Sequence, residues 1–253
     1  MVGPLAFVWI RVALAAVILV AVNFAALRRT GRLPLTWVVA SGAAIAVMNG
    51  CFYQAIDRIP LGLATTIEFL GPLAVAVIGS RRAVDFLWVG LAGAGVALLG
   101  SPSVDLDPVG LAWAFGAAVA WAAYFLLAKR MLQDWPIGTG LAVSLAVAAV
   151  LLAPFGIAGG GSDLVDPAVL VTGLAVAVLG SVLPFTLELA ALRKLSTATF
   201  GILLSLEPVV AALVGAVALS QVPGAVEWVA ILCVVVASAG ASLGARRAVP
   251  PEI

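Results

Sequence analysis

Nine long apolar stretches follow one another along this chain, separated by short polar gaps. They run Leu5–Leu27, Leu35–Ile56, Leu61–Gly79, Val84–Gly100, Val109–Ala128, Ile137–Ile157, Ala168–Leu192, Thr197–Leu219 and Val226–Leu243. Most are close to the roughly 20 residues that span a bilayer as an α-helix. Within each stretch the apolar residues are continuous. A membrane β-barrel would instead alternate apolar and polar residues in segments of about ten. The pattern therefore predicts an all-α, polytopic membrane protein with nine transmembrane helices. The longest gap is Ala158–Pro167, a Gly/Asp-rich loop, so no soluble domain is expected.

Composition agrees: 64% of residues are hydrophobic, 10% are charged, and the mean hydropathy is +1.23. An ordinary globular domain is about half apolar and about a quarter charged. The distribution of charge then adds orientation. Eleven of the thirteen Lys and Arg residues fall in alternate gaps: Arg28, Arg29 and Arg32; Arg81 and Arg82; Lys129 and Arg130; Arg193 and Lys194; Arg246 and Arg247. The other gaps carry Asp57 with Arg58, Asp105 with Asp107, Asp163 with Asp166, and Gln221. Lys and Arg accumulate in cytoplasmic loops, so the basic gaps and the C-terminus are expected in the cytoplasm and Met1 outside. The lipid bilayer is thus the first partner. A net charge of +1 gives no reason to expect a nucleic acid.

A weak internal repeat appears at an offset of 136 residues, where Ala55–Gly79 overlays Ala191–Gly215. Ala55 matches Ala191, Leu70 matches Leu206, Pro72 matches Pro208, Ala76 matches Ala212 and Gly79 matches Gly215. The third segment then pairs with the eighth, and the pairing extends to the second with the seventh, the first with the sixth and the fourth with the ninth. Paired helices lie five crossings apart and so run in opposite directions. This is an inverted-topology repeat, common in secondary transporters, whose substrate site lies near the midplane. Residues 1–104 form the first repeat, 105–246 the second, and 247–253 a cytoplasmic tail. The fifth segment has no mate, so an inverted 5+5 arrangement with its first helix missing is expected. A native nine-helix protein is the alternative.

Few ionisable groups interrupt the apolar segments: Arg11, Glu68, Glu188 and Glu207. Each costs roughly 2.5–3.5 kcal/mol at mid-helix on the insertion scale, so such residues usually face a cavity or a partner. Glu68 shares a helix face with Thr65 and Pro72. Proline has no N–H to donate, so Pro72 leaves the Glu68 carbonyl without its helical partner. A carboxylate, a hydroxyl and a free backbone acceptor meet there, suited to proton exchange or to a substrate ammonium. A structural hydrogen bond to a neighbouring helix is the competing role. Glu207 precedes Pro208, which in the same way frees the carbonyl of Leu204. Glu188 lies near Arg193, so a salt bridge competes with a binding role. Arg11 could pair with a substrate carboxylate or with a glutamate, or could snorkel to the outer surface. Asn49 and Tyr53 form a polar stripe at i and i+4. Trp121 and Tyr53 are candidates to line a cavity, whereas Trp113 and Tyr124 read as interfacial anchors. Gly240-x-x-x-Gly244 and the group Gly90, Gly93 and Gly95 suit close helix packing.

Several chemistries are unsupported. The chain has no His, its two cysteines Cys51 and Cys233 sit inside apolar segments, and no G-x-x-x-x-G-K-[ST] occurs. No metal site, cofactor or direct use of ATP is expected. An intramembrane enzyme would need a nucleophile with its base, or paired aspartates at helix centres, and neither is present. A channel or a non-transporting membrane subunit remains as a rival class.

The stretch NGCFYQAIDRIPLGLATTIEFLGPLAVAVIGSRRAVDFLWV, Asn49–Val89, resembles EamA-type transporters of the drug/metabolite transporter superfamily, and among them the bacterial threonine/homoserine exporters. LPFTLELAALRKLSTATFGILLSLEPVVAALVG, Leu183–Gly215, is similar to the second-repeat block of the same family. The resemblance runs from Pro4 to about Gly244 and implies two inverted five-helix repeats. It further implies a small-molecule substrate, namely small neutral amino acids exported through the inner membrane, with protons as the coupling ion. Another metabolite or drug is the alternative cargo, and a homodimer is an assembly such a chain could form. On the family pattern the first-repeat glutamate falls on Glu68, the Glu-Pro glutamate on Glu207 and the helix-two arginine on Arg11.

The charge pattern makes a direct prediction about topology. Reporter tags at Gly31, Arg82 and Arg247 are expected to face the cytoplasm, and tags at Ser103 and Gly160 the opposite side. Cytoplasmic reporting from Gly160 would overturn the orientation.

Overall fold

Two of the polar gaps end in Asp-Pro, and in the computed structural model both dipeptides open a helix. Asp107 accepts a hydrogen bond from the Val109 amide at 3.0 Å, and Asp166 from the Ala168 amide at 2.8 Å. Pro108 and Pro167 are the first helical residues. A capping carboxylate satisfies one of the amides that a helix start leaves unpaired, and proline brings no amide of its own to satisfy.

The structure describes residues 3–29, 34–78, 83–99, 107–161, 164, 166–195, 200 and 203–246. Arg32, Arg81, Arg82, Asp105, Asp163 and Arg247, which carry part of the charge pattern, lie outside them. So do Met1, Gly31, Gly79, Ser103 and Thr197. The elements are α1 (Pro4–Val22), α2 (Phe24–Arg29), α3 (Leu35–Ile56), α4 (Leu61–Glu68), α5 (Leu70–Ile78), α6 (Ala83–Leu99), α7 (Pro108–Asp134), α8 (Ile137–Gly160) and α9 (Pro167–Ala177). A π-helical turn (Val178–Val182) joins α9 to α10 (Leu183–Lys194), followed by α11 (Glu207–Ala218) and α12 (Ala225–Arg246). No strand occurs among the described residues. Six helical stretches are long and apolar enough to cross a membrane, and Leu61–Val75, Phe86–Leu99 and Glu207–Ala218 are shorter apolar helices. The chain is a polytopic all-α membrane protein.

The structure corrects the sequence reading at several points. The α7 helix does not stop at Ala128 but continues to Asp134, because Lys, Arg, Met, Leu and Gln are good helix formers and the first stop is Trp135-Pro136. Lys129 and Arg130 therefore sit on its last turns rather than in a loop, and Arg130 lies over the Trp37 ring at 5.5 Å. Four apolar stretches contain breaks: at Asn23, at Phe69, at the π-helical turn, and at the turn Ser205–Leu206. Of the glycines expected to pack closely, Gly95 and Gly240 do so, while Gly90 and Gly93 face nothing within 4 Å among the described residues.

The described residues form two compact units, one within 1–53 and 123–193, the other within 54–122 and 194–253. The boundaries fall inside α3 and α7 and before the last residue of α10. In the first unit α1 packs on α8 and α9. A Cβ at Gly156 would collide with the Trp9 side chain, whose Nε1 donates to the Ala149 carbonyl at 3.0 Å. Ser144 Oγ ties α8 to α3 by donating to the Val38 carbonyl at 3.0 Å. In the second unit α6 packs on α12, and α4 on α11. A Cβ at Gly62 would lie 2.7 Å from Ala212 Cα, and one at Gly95 2.8 Å from Cys233 Cβ. Lipid tails are as apolar as the side chains, so burial gives no hydrophobic gain here. Small residues that let backbones approach supply the packing instead.

Gly71 shows how tight this packing is, since a Cβ there would run into the Ala118 carbonyl. Gly71→Val is expected to lower stability in detergent by about 1–3 kcal/mol, read as a fall in thermal midpoint. Gly90→Ala should leave the midpoint unchanged or slightly raised.

Candidate functional site

The breaks at Phe69, at the π-helical turn and at Ser205–Leu206 each coincide with a proline that withholds a backbone donor. In the second unit α4 ends at Glu68 and α5 starts at Leu70. The Phe69 amide still donates to the Thr65 carbonyl at 2.9 Å, and the Leu73 amide to Phe69 at 3.3 Å. Between them Pro72 has no N–H for the Glu68 carbonyl. Glu68 and Thr65 are both buried, at 7% and 3% exposure. Thr65 Oγ1 is committed to its own helix, donating to the Leu61 carbonyl at 2.9 Å. Trp121 is buried and stands edge-on to Phe69, centroids 5.6 Å apart, so it pins the break beside Glu68. Glu207 is exposed and occupies the first turn of α11. The second unit thus brings Thr65, Glu68, Pro72 and Trp121 to one broken helix. It sets Glu207 and Pro208 at another break, on the helix that packs against α4.

The first unit builds a different arrangement around Arg11. This residue is buried, and its two terminal nitrogens have separate acceptors. Nη2 donates to Asn49 Oδ1, and Nη1 donates to the Gly180 carbonyl at 2.6 Å. Asn49 is itself oriented by donating from Nδ2 to the Ile45 carbonyl at 2.9 Å. The guanidinium also lies over the Tyr53 ring, 5.2 Å from its centroid, a favourable placement for a cation on a π face. Arg11 therefore does not snorkel to a surface. It reads the polar stripe of Asn49 and Tyr53 that the sequence placed at i and i+4.

The Gly180 carbonyl is available for a local reason. Pro184 stands four residues later, where an α-helix would supply the donor. The chain widens into the π-helical turn, closed by the Leu183 amide on the Val178 carbonyl. A Cβ at Gly180 would make only ordinary contact with Arg11 Nη1, at 3.5 Å. Single π turns often mark functional positions.

Tyr124, which the sequence read as an anchor, the candidate Glu188, and the unnoticed Ser181 and Thr186 complete this region. Tyr124 is no interfacial anchor but is 1% exposed, deep in the first unit. Its ring meets Phe185 edge-on at 5.8 Å, and the Glu188 carboxylate lies within its electrostatic reach. Glu188 is half-buried on α10. The hydroxyls of Tyr124, Ser181 and Thr186 are buried and have no hydrogen-bond partner among the described residues. Pro184, four residues after Gly180, was the one readable signal, the same one that marked Glu68 four residues before Pro72.

The EamA-like transporter family matches residues 108–243. The chain belongs to that family. Threonine/homoserine exporter RhtA of Salmonella typhimurium strain LT2 is 41% identical over 219 residues, covering 85% of this chain and 73% of the relative. The protein of the same name from Escherichia coli K12 is 39% identical with the same coverage. Uncharacterized transporter YwfM of Bacillus subtilis is 24% identical over 208 residues, 78% of this chain and 69% of that one. A crystal structure shares the fold with a TM-score of 0.71 at 22% identity, covering 98% of this chain and 90% of the other. This EamA-like chain is thus a transporter and not an enzyme.

In an EamA-like transporter whose buried arginine depends on a side-chain acceptor, removing that acceptor should be costly. Asn49→Leu is expected to destabilise the protein by about 1.5–3 kcal/mol, the range for a hydrogen bond to a charged group. Tyr53→Phe keeps the ring beneath the guanidinium and should cost much less. Thermal unfolding in detergent separates the two, and equal midpoints would remove Asn49 from the role.

Proposed function

We propose that this EamA-like transporter exports small neutral amino acids, with threonine and homoserine as substrates, through the bacterial inner membrane in exchange for protons. The observation that carries the reading is the extent of its likeness to proteins named threonine/homoserine exporters, roughly two residues in five over 219 residues. Burial of a carboxyl and a guanidinium inside apolar segments supports it, because such groups are retained in membranes where they bind or relay charge.

Residues are assigned as follows. Arg11, oriented by Asn49 and Tyr53, takes the substrate carboxylate. Glu68 carries the coupling proton or the substrate ammonium, with Thr65 and the carbonyl freed by Pro72 beside it and Trp121 holding the break. Glu188 and Glu207 are further proton or ammonium sites, and Pro208 gives the second repeat its own break. Nine crossings and an inverted repeat belong to the same proposal. In its favour, the breaks at Phe69 and Ser205 are separated by the same 136 residues that overlay the two halves. A cytoplasmic C-terminus follows from the charge pattern.

Efflux from cells that lack their own exporters, loaded with threonine or homoserine, tests this reading. Expression of the chain should speed efflux saturably, and a proton uncoupler should abolish the acceleration. Glu68→Gln keeps the shape of the side chain but cannot ionise. It should insert normally yet lose proton-driven efflux. Survival of substrate exchange in that variant would assign Glu68 to coupling, and loss of binding to the ammonium. Wild-type export by Glu68→Gln at every near-neutral pH would make the carboxylate structural and leave Glu207 as the better candidate.

A further inference from the structure

Hydroxyl groups inside membrane helices ordinarily satisfy themselves on the carbonyl one turn back. Thr65, Thr66 and Thr172 do so here, donating to Leu61, Gly62 and Ala168 at 2.9, 2.6 and 2.8 Å. Ser181 does not. It is fully buried within the π-helical turn, and its Oγ pairs with no group among the described residues. Ser41 Oγ on α3 and Thr186 Oγ1 on α10 are likewise buried and unpaired among the described residues.

Tyr124 repeats the observation from another helix of the same unit. A buried tyrosine normally finds a partner for its hydroxyl, yet Tyr124 Oη has none among the described residues. The two side chains belong to one neighbourhood. Phe185 follows Ser181 by four residues and packs edge-on against the Tyr124 ring. Gly180, the residue before Ser181, holds Arg11. Two buried hydroxyls thus lie near the π-helical turn whose carbonyl receives the guanidinium.

We propose that Ser181 and Tyr124 read the side-chain hydroxyl of the transported amino acid and make this transporter selective for hydroxy amino acids over their alkyl counterparts. The inference rests on the reading of the chain as an amino-acid exporter and adds the source of its selectivity. Threonine and homoserine place their hydroxyls on different carbons, yet both become 2-aminobutyrate when that hydroxyl is removed. A site that grips only ammonium and carboxylate handles all three alike. A site with two buried hydroxyls to satisfy does not, because the deoxy compound leaves them unpaired. Polar sites reject an analogue lacking a hydroxyl far more strongly than apolar pockets reject one that adds it.

The test compares efflux of threonine, homoserine and 2-aminobutyrate from loaded cells carrying the full chain, Tyr124→Phe or Ser181→Ala. Both variants remove only the hydroxyl and keep the packing on Phe185 and inside the turn. The wild type is expected to prefer threonine and homoserine. Each variant should narrow that preference by about tenfold or more, through a higher KM for the hydroxy substrates with 2-aminobutyrate efflux retained. An unchanged preference in both variants overturns the proposal. So does an equal loss of all three substrates, which is the mark of structural damage. A wild-type chain that exports neither threonine nor homoserine refutes the exporter reading itself, and the selectivity inference with it.

Discussion

Inside a bilayer there is no water to complete a backbone hydrogen bond, so every carbonyl that loses its helical donor must find another partner or face one. That constraint organises this molecule. Pro72, Pro184 and Pro208 each stand inside an apolar stretch and each withholds one amide. The resulting acceptors lie beside the few charged residues the membrane segments contain. At Gly180 the consequence is explicit, since the freed carbonyl holds Arg11 at 2.6 Å. Placing a guanidinium in an apolar unit becomes tolerable because backbone and side-chain acceptors were already there to receive it.

The two units solve this problem differently. Around Arg11 the acceptors come from three places in the chain: Asn49 on α3, Gly180 on the π-helical turn, and the face of Tyr53. Around Glu68 the surroundings are those of a broken helix, with its hydroxyl neighbour turned inward to Leu61 and an aromatic pair fixing the break. One arrangement suits a group whose charge is permanent. The other surrounds a buried carboxyl at a helix break. Backbone approach at Gly62, Gly71, Gly95 and Gly156 allows both to sit among closely spaced helices.

Much of this was legible in the residues alone. Segment boundaries followed from continuous apolar runs, and α3 matches its expected limits at both ends. The spacing of Asn49 and Tyr53 showed that they share a face, and Pro72 showed where a carbonyl would be freed. What escaped was information that lives in more than one helix. Tyr124 looked like an anchor because the apolar run ends at Ala128. The helix continues to Asp134, which places Tyr124 well inside it. Ser181 looked like any small residue in a membrane span, since nothing in composition distinguishes a π turn from the α-helix around it. Glu207 read as mid-segment because a run of apolar residues hides the turn at Ser205–Leu206.

The π-helical turn also separates the two parts of its span in register. An α-helix rotates by about 100° per residue, so one residue too many in a turn reorients everything beyond it. Thr172 and Gly173 upstream follow one register, and Phe185, Glu188 and Leu189 downstream follow another. Evolution could therefore retune which side chains of α10 face inward by deleting or restoring a single residue between Val178 and Val182, without altering any of those side chains. A length change that would be ruinous in an uninterrupted membrane helix becomes, at this one position, an adjustable setting.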